Sequence, residues 1–489
     1  MKQMKTYIKL LAFISCLFIT YSCGDLLNNE PLSDFTGDPQ SSSNLESKYA
    51  SVTDAEAELN GAYNKFKQDI FQFENFSYGD IQSDNCYAGG DGVPGEEVDG
   101  IRVTSMNSKT KLMWAQYYEM GGAATSVIEN TRLMKTNIDD ATRKRIIAEA
   151  KFIRAYAYFD IVRIWGDAPL MIELIPAITA ENLEELYPKL YPARTPSDDI
   201  YAQIIKDLEE AIPDLGSLSQ GAFKATKGAA NGLLAKVYAT RGEKSGRNYS
   251  KVVELCDKVI ADGYKLVTNY DDLWNPANKY TTESIFEVYY DATSPNWAYW
   301  VLYSEEDGSI TWRRYCTPTH DLISKFNPDD KRFESTIVYK EVPYDTYFPS
   351  SNYPIANKIR QKDSEIILMR LADILLLKAE ALVELNKISE AMNIVNTIRD
   401  RAGLKKLSTT LSQGDARLAV EQERQFELAL EGQRWYDLLR NDRMVEVMRQ
   451  HKDKNGKLLF PNLEEFHKLW PVPQTEKDSN PNLTQNPGY

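Results

Sequence analysis

Two stretches of this chain share a pattern that limits the fold more than any other feature. Residues 232–263 read GLLAKVYATRGEKSGRNYSKVVELCDKVIADG, and residues 372–403 read ADILLLKAEALVELNKISEAMNIVNTIRDRAG. Each is an alanine-spaced apolar helix, a short polar turn, and a second helix that opens on a serine (Ser250, Ser389) and ends near a glycine. Small residues such as Ala235 and Ala379 let two helix backbones approach closely. A helical hairpin of this kind cannot bury its apolar face alone and needs stacked neighbours.

The pattern predicts a mainly α fold: a tetratricopeptide-like helical-hairpin superhelix with a few short strands. The two units are not consecutive. Residues 264–365 separate them with prolines, aromatics and strand-like runs such as SIFEVYY at 284–290. Repeats interrupted in this way predict a helical scaffold carrying a loop-rich face. Further helices are expected from Thr53 or Asp54, over 114–135, over 142–165, and from Ser197 to the break at Pro213. Residues 74–110 lose periodicity, become rich in Gly, Asp and Asn, and read as a long loop. Cys256 sits at helical spacing with Val252 and Ile260 and reads as a core thiol.

The front of the chain predicts where the protein works. Lys2, Lys5 and Lys9 precede the apolar run LLAFISCLFITY, too short to span a bilayer as a helix, and small Ser22 precedes Cys23. Residues 1–22 therefore read as a secretory signal peptide. Cys23 reads as a lipid-attachment (palmitate) site resembling that of bacterial lipoproteins, and 23–50 as a lipidated tether and entry loop. The remainder divides into an N-terminal region, 51–263, and a C-terminal region, 264–489, expected to form one compact unit.

Formal charge is −14, or −17 without the three signal lysines. Such acidity makes nucleic acid a poor partner. No nucleophile elbow, HExxH pair or phosphate-cradling loop occurs. His320, His451 and His467 are scattered without ligand spacing, and nothing calls for a cofactor. The acidic run DGVPGEEVDG offers Asp91, Glu96, Glu97 and Asp99 to a calcium ion, but without EF-hand spacing, so a solvated loop is expected. Paired carboxylates for glycoside hydrolysis leave a surface glycosidase as an outside reading.

ERQFELALEGQRWYDLLR at 423–440 and LWPVPQTEKDSNPNLTQNPGY at 469–489 resemble the SusD/RagB family of outer-membrane nutrient-binding lipoproteins. CGDLLNNEP after the signal, YGDIQSDN at 78–85 and AKFIRAYAYFDIVRIWGDAPL at 150–170 extend the resemblance over nearly the whole mature chain. It implies four tetratricopeptide-like helix pairs packed against an irregular ligand-binding portion. It also implies an outer-membrane, cell-surface location and a partner, a SusC-like TonB-dependent transporter. The implied role is non-catalytic capture of oligosaccharide or polysaccharide, with RagB-like peptide capture as the alternative.

Sugar rings present apolar C–H faces and polar rims, which suit flat aromatic side chains flanked by Asp, Asn or Arg. SPNWAYW supplies Trp297, Tyr299 and Trp300, and ITWRRY supplies Trp312 and Arg313. The early loop adds Tyr78, Asp84, Asn85 and Tyr87. Within 423–440, Glu431 and Arg434 read as an i,i+3 pair on a structural helix. The proline-rich tail reads as a strap across the helices, pinned by Trp470 and Tyr489.

Overall fold

Helices dominate, and most of the long ones start where a short polar side chain caps them. The computed structural model describes residues 46–489 except 91, 219–220, 242–245, 300–304, 307–308, 311–313, 315 and 343–346. The long helices are α1 (Val52–Asn64), α2 (Ser108–Leu133), α3 (Asp140–Trp165), α4 (Ser197–Ala211), α5 (Lys227–Thr240), α6 (Tyr249–Ala261), α7 (Leu371–Glu384), α8 (Ile388–Arg401) and α9 (Gln413–Glu427). Ser51, not Thr53 or Asp54, caps α1, and Asp54 completes the capping box. Asn107, Asp139, Thr226 and Ser412 cap α2, α3, α5 and α9 through their side chains. The expected Ser250 cap is instead Asn248, one position before α6, because its side-chain Oδ1 accepts from the Lys251 amide at 3.0 Å. Ser389 lies inside α8, which follows Lys387 without a side-chain cap.

The helices pack as neighbours in series: α2 on α3, α3 on α4, α5 on α6, and α7 on α8 and α9. The α6 helix also packs on α7, so the two hairpins recognised in the sequence lie side by side. Ala235 and Ala379 are fully buried in these pairs, as is Cys256. One apolar core runs from Tyr49 to Leu483, and a second lies under α7, α8 and α9.

The described strands are short: β1 (Cys86–Tyr87), β2 (Ser284–Val288), β3 (Thr317–Pro318), β4 (Ile337–Lys340), β5 (Tyr353–Ala356) and β6 (Ile366–Arg370), besides a two-residue pair at 305–310. They form antiparallel pairs, β1 with β3, β2 with β6, and β4 with β5. The β6 strand runs directly into α7, and the Leu371 amide donates to the Glu283 carbonyl at 2.9 Å. The β2–β6 ladder therefore fastens the insertion to the scaffold it interrupts.

Residues 74–110 are not an open loop. They contain tight helical turns through Ile81, the helix Val93–Asp99 and the start of α2, and 74 and 76–86 are buried. The reason is a close backbone approach. A side chain at Gly79 would collide with the Gly432 carbonyl, while the Gly432 amide donates to Asp80 Oδ2 at 2.6 Å. Gly432 has φ +72°, a conformation that costs glycine least.

Candidate functional site

The turn 291–299 presents an aromatic side chain on a rigid base. Asp291 Oδ1 accepts from the Thr293 and Ser294 amides at 2.8 and 2.9 Å. Asn296, fully buried, donates from Nδ2 to the Ser364 carbonyl at 2.9 Å and accepts from the Ala298 amide at 3.0 Å. Between these anchors Trp297 is 52% exposed, its amide donating to Gln72 Oε1 at 2.5 Å. Tyr299 is half-buried against the core.

Three more aromatics gather beside this turn. Phe223 and Tyr289 are 42% and 37% exposed. The Phe223 and Tyr280 rings are 5.5 Å apart, and Tyr280 and Tyr289 lie nearly parallel at 6.4 Å. Lys67 Nζ lies 5.5 Å from the Tyr289 ring and 3.4 Å from Ser294 Oγ, joining the trio to the Trp297 turn. Lys279 Nζ lies 5.0 Å from the Tyr289 ring and donates to the Tyr290 and Asp363 carbonyls at 2.9 Å each. Beneath the trio, burial with Glu365 nearby pushes the Glu287 carboxyl up to about 7. The result is a partly exposed aromatic cluster edged by lysines and hydroxyls, in which Tyr280 and Tyr289 lie near-parallel and Phe223 is tilted by 48° and 51° to them, and such rings suit stacking against an apolar ring face.

The predicted residues fare differently. Trp300, Trp312 and Arg313 lie outside the described residues, as do Asp91 and Cys23. Trp297 and Tyr299 sit on the surface turn. Tyr78, Asp84 and Asn85 do not face solvent: each is at most 1% exposed, because the early segment folds inward against the 423–440 region. The Tyr78 ring packs 5.0 Å from Tyr436 and 5.2 Å from Trp470. Asp84 is gripped by Arg434 at 2.7 and 3.1 Å, and Gln425 donates to Asp84 and Asn85 at 3.0 and 2.9 Å. Burial works to raise the Asp84 carboxyl, but Arg434, with Lys325 and His451, holds it well below the usual range. Tyr87 is half-buried, its hydroxyl 3.0 Å from that of Tyr353 and its ring 4.3 Å from Tyr347. The acidic stretch forms the helix Val93–Asp99, where Glu97 accepts from Asn107 at 2.6 Å, rather than a solvated loop.

Glu431 and Arg434 do not pair with each other. The chain leaves α9 at Glu427 and resumes as α10 (Arg434–Arg440) after Leu430 and Gly432 take positive φ. Glu431 instead meets Lys358 at 2.6 Å and Arg370 at 2.7 Å. Phe223, Tyr280 and Tyr289 come from three separate segments, and no spacing in the sequence brings them together. Tyr289, exposed just past the end of β2 beside the buried Tyr290, is the one local hint.

The SusD family model matches residues 346–489, and a second, described as starch-binding associating with outer membrane, matches residues 29–239. SusD-like protein P2 of Formosa agariphila is 27% identical, over 98% of this chain and 99% of its own length. A SusD superfamily protein of Parabacteroides distasonis superposes with a TM-score of 0.77 at 25% identity, covering 90% of this chain and all of its own. Surface glycan-binding protein A of Bacteroides thetaiotaomicron, solved with laminarihexaose, superposes with a TM-score of 0.72 at 19% identity, covering 89% and 99%. The chain belongs to the SusD/RagB family.

Proposed function

We propose that this protein captures oligosaccharide or polysaccharide at the outer membrane, without catalysis, and delivers it to a SusC-like TonB-dependent transporter. In this reading Cys23 carries the lipid anchor, and the aromatic surface of Trp297, Phe223, Tyr280 and Tyr289 stacks on sugar rings. The observation that carries the reading is Trp297, held half-exposed on a hydrogen-bonded turn beside three clustered rings. Several large aromatic side chains exposed close together form a patch of the kind that marks a binding surface. The solved relative that holds laminarihexaose supports a glycan over other ligands.

Calorimetric titration with laminarihexaose, a starch oligosaccharide and a peptide pool tests this. An aromatic anchor is worth at least about 2 kcal/mol, by analogy with protein interfaces. Trp297→Ala and Tyr289→Ala should each weaken glycan binding roughly thirtyfold, with melting temperature unchanged. Unchanged affinity in both variants would remove the site, and binding of peptide alone would shift the reading to RagB-like peptide capture.

A further inference from the structure

Cys86 and Cys316 are far apart in sequence and together in space. In the β1–β3 pair Cys86 is opposite Pro318 and Tyr87 is opposite Thr317. Cys316 lies in the bend that leads into β3, two residues before Pro318, and the bend brings it beside Cys86. Both residues are almost fully buried, at 1% and 3% exposure, and their thiols lie in hydrogen-bonding contact. The neighbouring backbone holds the register: the Thr319 amide donates to the Asn85 carbonyl at 2.9 Å, and Thr319 Oγ1 to the Asp84 carbonyl at 2.7 Å. Cys256, the third described thiol, is buried in α6.

The geometry points to a disulfide between Cys86 and Cys316, a covalent staple tying the early buried segment to the ligand-bearing insertion. Two thiols lose two protons and two electrons, and the electrons reduce a disulfide acceptor: a thiol–disulfide oxidoreductase or glutathione disulfide. One thiolate attacks the acceptor to give a mixed disulfide and a released thiol. The second thiolate then displaces the remaining acceptor sulfur and closes the bond. Disulfides persist outside the reducing cytosol, which agrees with the export signal read at residues 1–22. Burial pushes both thiols up, so few thiolates exist once the chain has folded. The bond therefore closes during folding and is afterwards shielded from exchange. Its loop spans nearly half the chain, the situation in which a cross-link restricts the unfolded state most.

Full-length protein isolated from the membranes of producing cells, denatured and alkylated with iodoacetamide without reductant, gives the direct test by peptide mapping. The expected map joins the Cys86 and Cys316 peptides and labels Cys256. Labelling of both Cys86 and Cys316 would overturn the proposal. Cys316→Ser should leave Cys86 open to label and lower the melting temperature, and wild type reduced in denaturant and refolded in reductant should melt lower by a similar amount. A wild type that melts identically after reduction and refolding would equally overturn it.

Discussion

Glu427 is one carboxylate facing three guanidiniums. It accepts from Arg332 at 3.0 Å, from Arg370 at 2.6 Å, and from Arg401. Arg332 and Arg370 spread the network to Asp330, Glu423, Glu283 and Glu431, nearly all of it inaccessible to water. Burial works to raise the Glu427 carboxyl, but Arg401, Arg370 and Arg332 hold it far below the usual range. Removing one member of a buried ionic cluster leaves uncompensated charge and costs about 3–5 kcal/mol. Glu427→Gln should therefore lose about that much in urea unfolding at neutral pH. A depressed carboxyl adds stability above its unfolded pKa and loses it as pH falls through the folded value. The deficit of the variant should accordingly shrink in acid. Glu287 behaves oppositely. Its carboxyl is raised from 4.5 to about 7, so the folded state holds a proton that the unfolded state releases. Stability on this account falls as pH climbs through that window. Glu287→Gln should match the wild type near pH 4.5 and exceed it by up to about 3 kcal/mol above pH 7. A pH series of melts that shows a constant offset would contradict this.

A helix leaves its last carbonyls unpaired, and the C-terminal strap answers that need for α3. The Trp470 amide donates to the Ile164 carbonyl at 2.8 Å, and Asn486 Nδ2 to the Trp165 carbonyl at 3.0 Å and the Trp470 carbonyl at 2.7 Å. Trp470 Nε1 reaches Gln82 Oε1 at 2.7 Å, and the Tyr489 hydroxyl returns to the Leu469 carbonyl at 2.8 Å. Asn486→Ala would strand the Trp470 carbonyl, while the Trp165 carbonyl keeps Arg194 at 3.0 Å, and should cost about 1–3 kcal/mol, measurable as a lower urea midpoint with unchanged slope. The strap and its pins are legible in the sequence because prolines forbid long helices there, although six residues, Gln474–Ser479, still form a short one between them. The hairpins are legible because apolar and alanine spacing repeats at the helical period. Residues 74–86 are not. Their buried polar side chains, Asp80, Gln82, Ser83, Asp84 and Asn85, carry no apolar period, and several of their partners lie in the last seventy residues of the chain. The same limit hides the site: Trp297 advertises itself within a Pro–Asn turn, whereas Phe223, Tyr280 and Tyr289 become neighbours only when three segments converge.

At the scale of the whole molecule, the division into 51–263 and 264–489 runs through the core rather than around it. Lys236 of α5 pairs with Asp373 of α7 at 2.5 Å, both largely buried. The Phe286 ring of β2 lies 5.0 Å from Phe66 and 5.1 Å from Phe152. Asp84 depends on Arg434, and Asp80 on the Gly432 amide. Separating the halves would expose these rings and leave buried charges without partners, each such loss large against a typical folding stability of about 5–15 kcal/mol. The two regions should therefore fold as one cooperative unit. Residues 46–263 and 264–489, produced separately, should each lack a sharp melting transition and native near-ultraviolet circular dichroism, while the joined chain shows a single transition. Independent, cooperative melting of either piece would show that the interrupted repeat is two domains in contact, and would make the insertion a module borne by the C-terminal half alone.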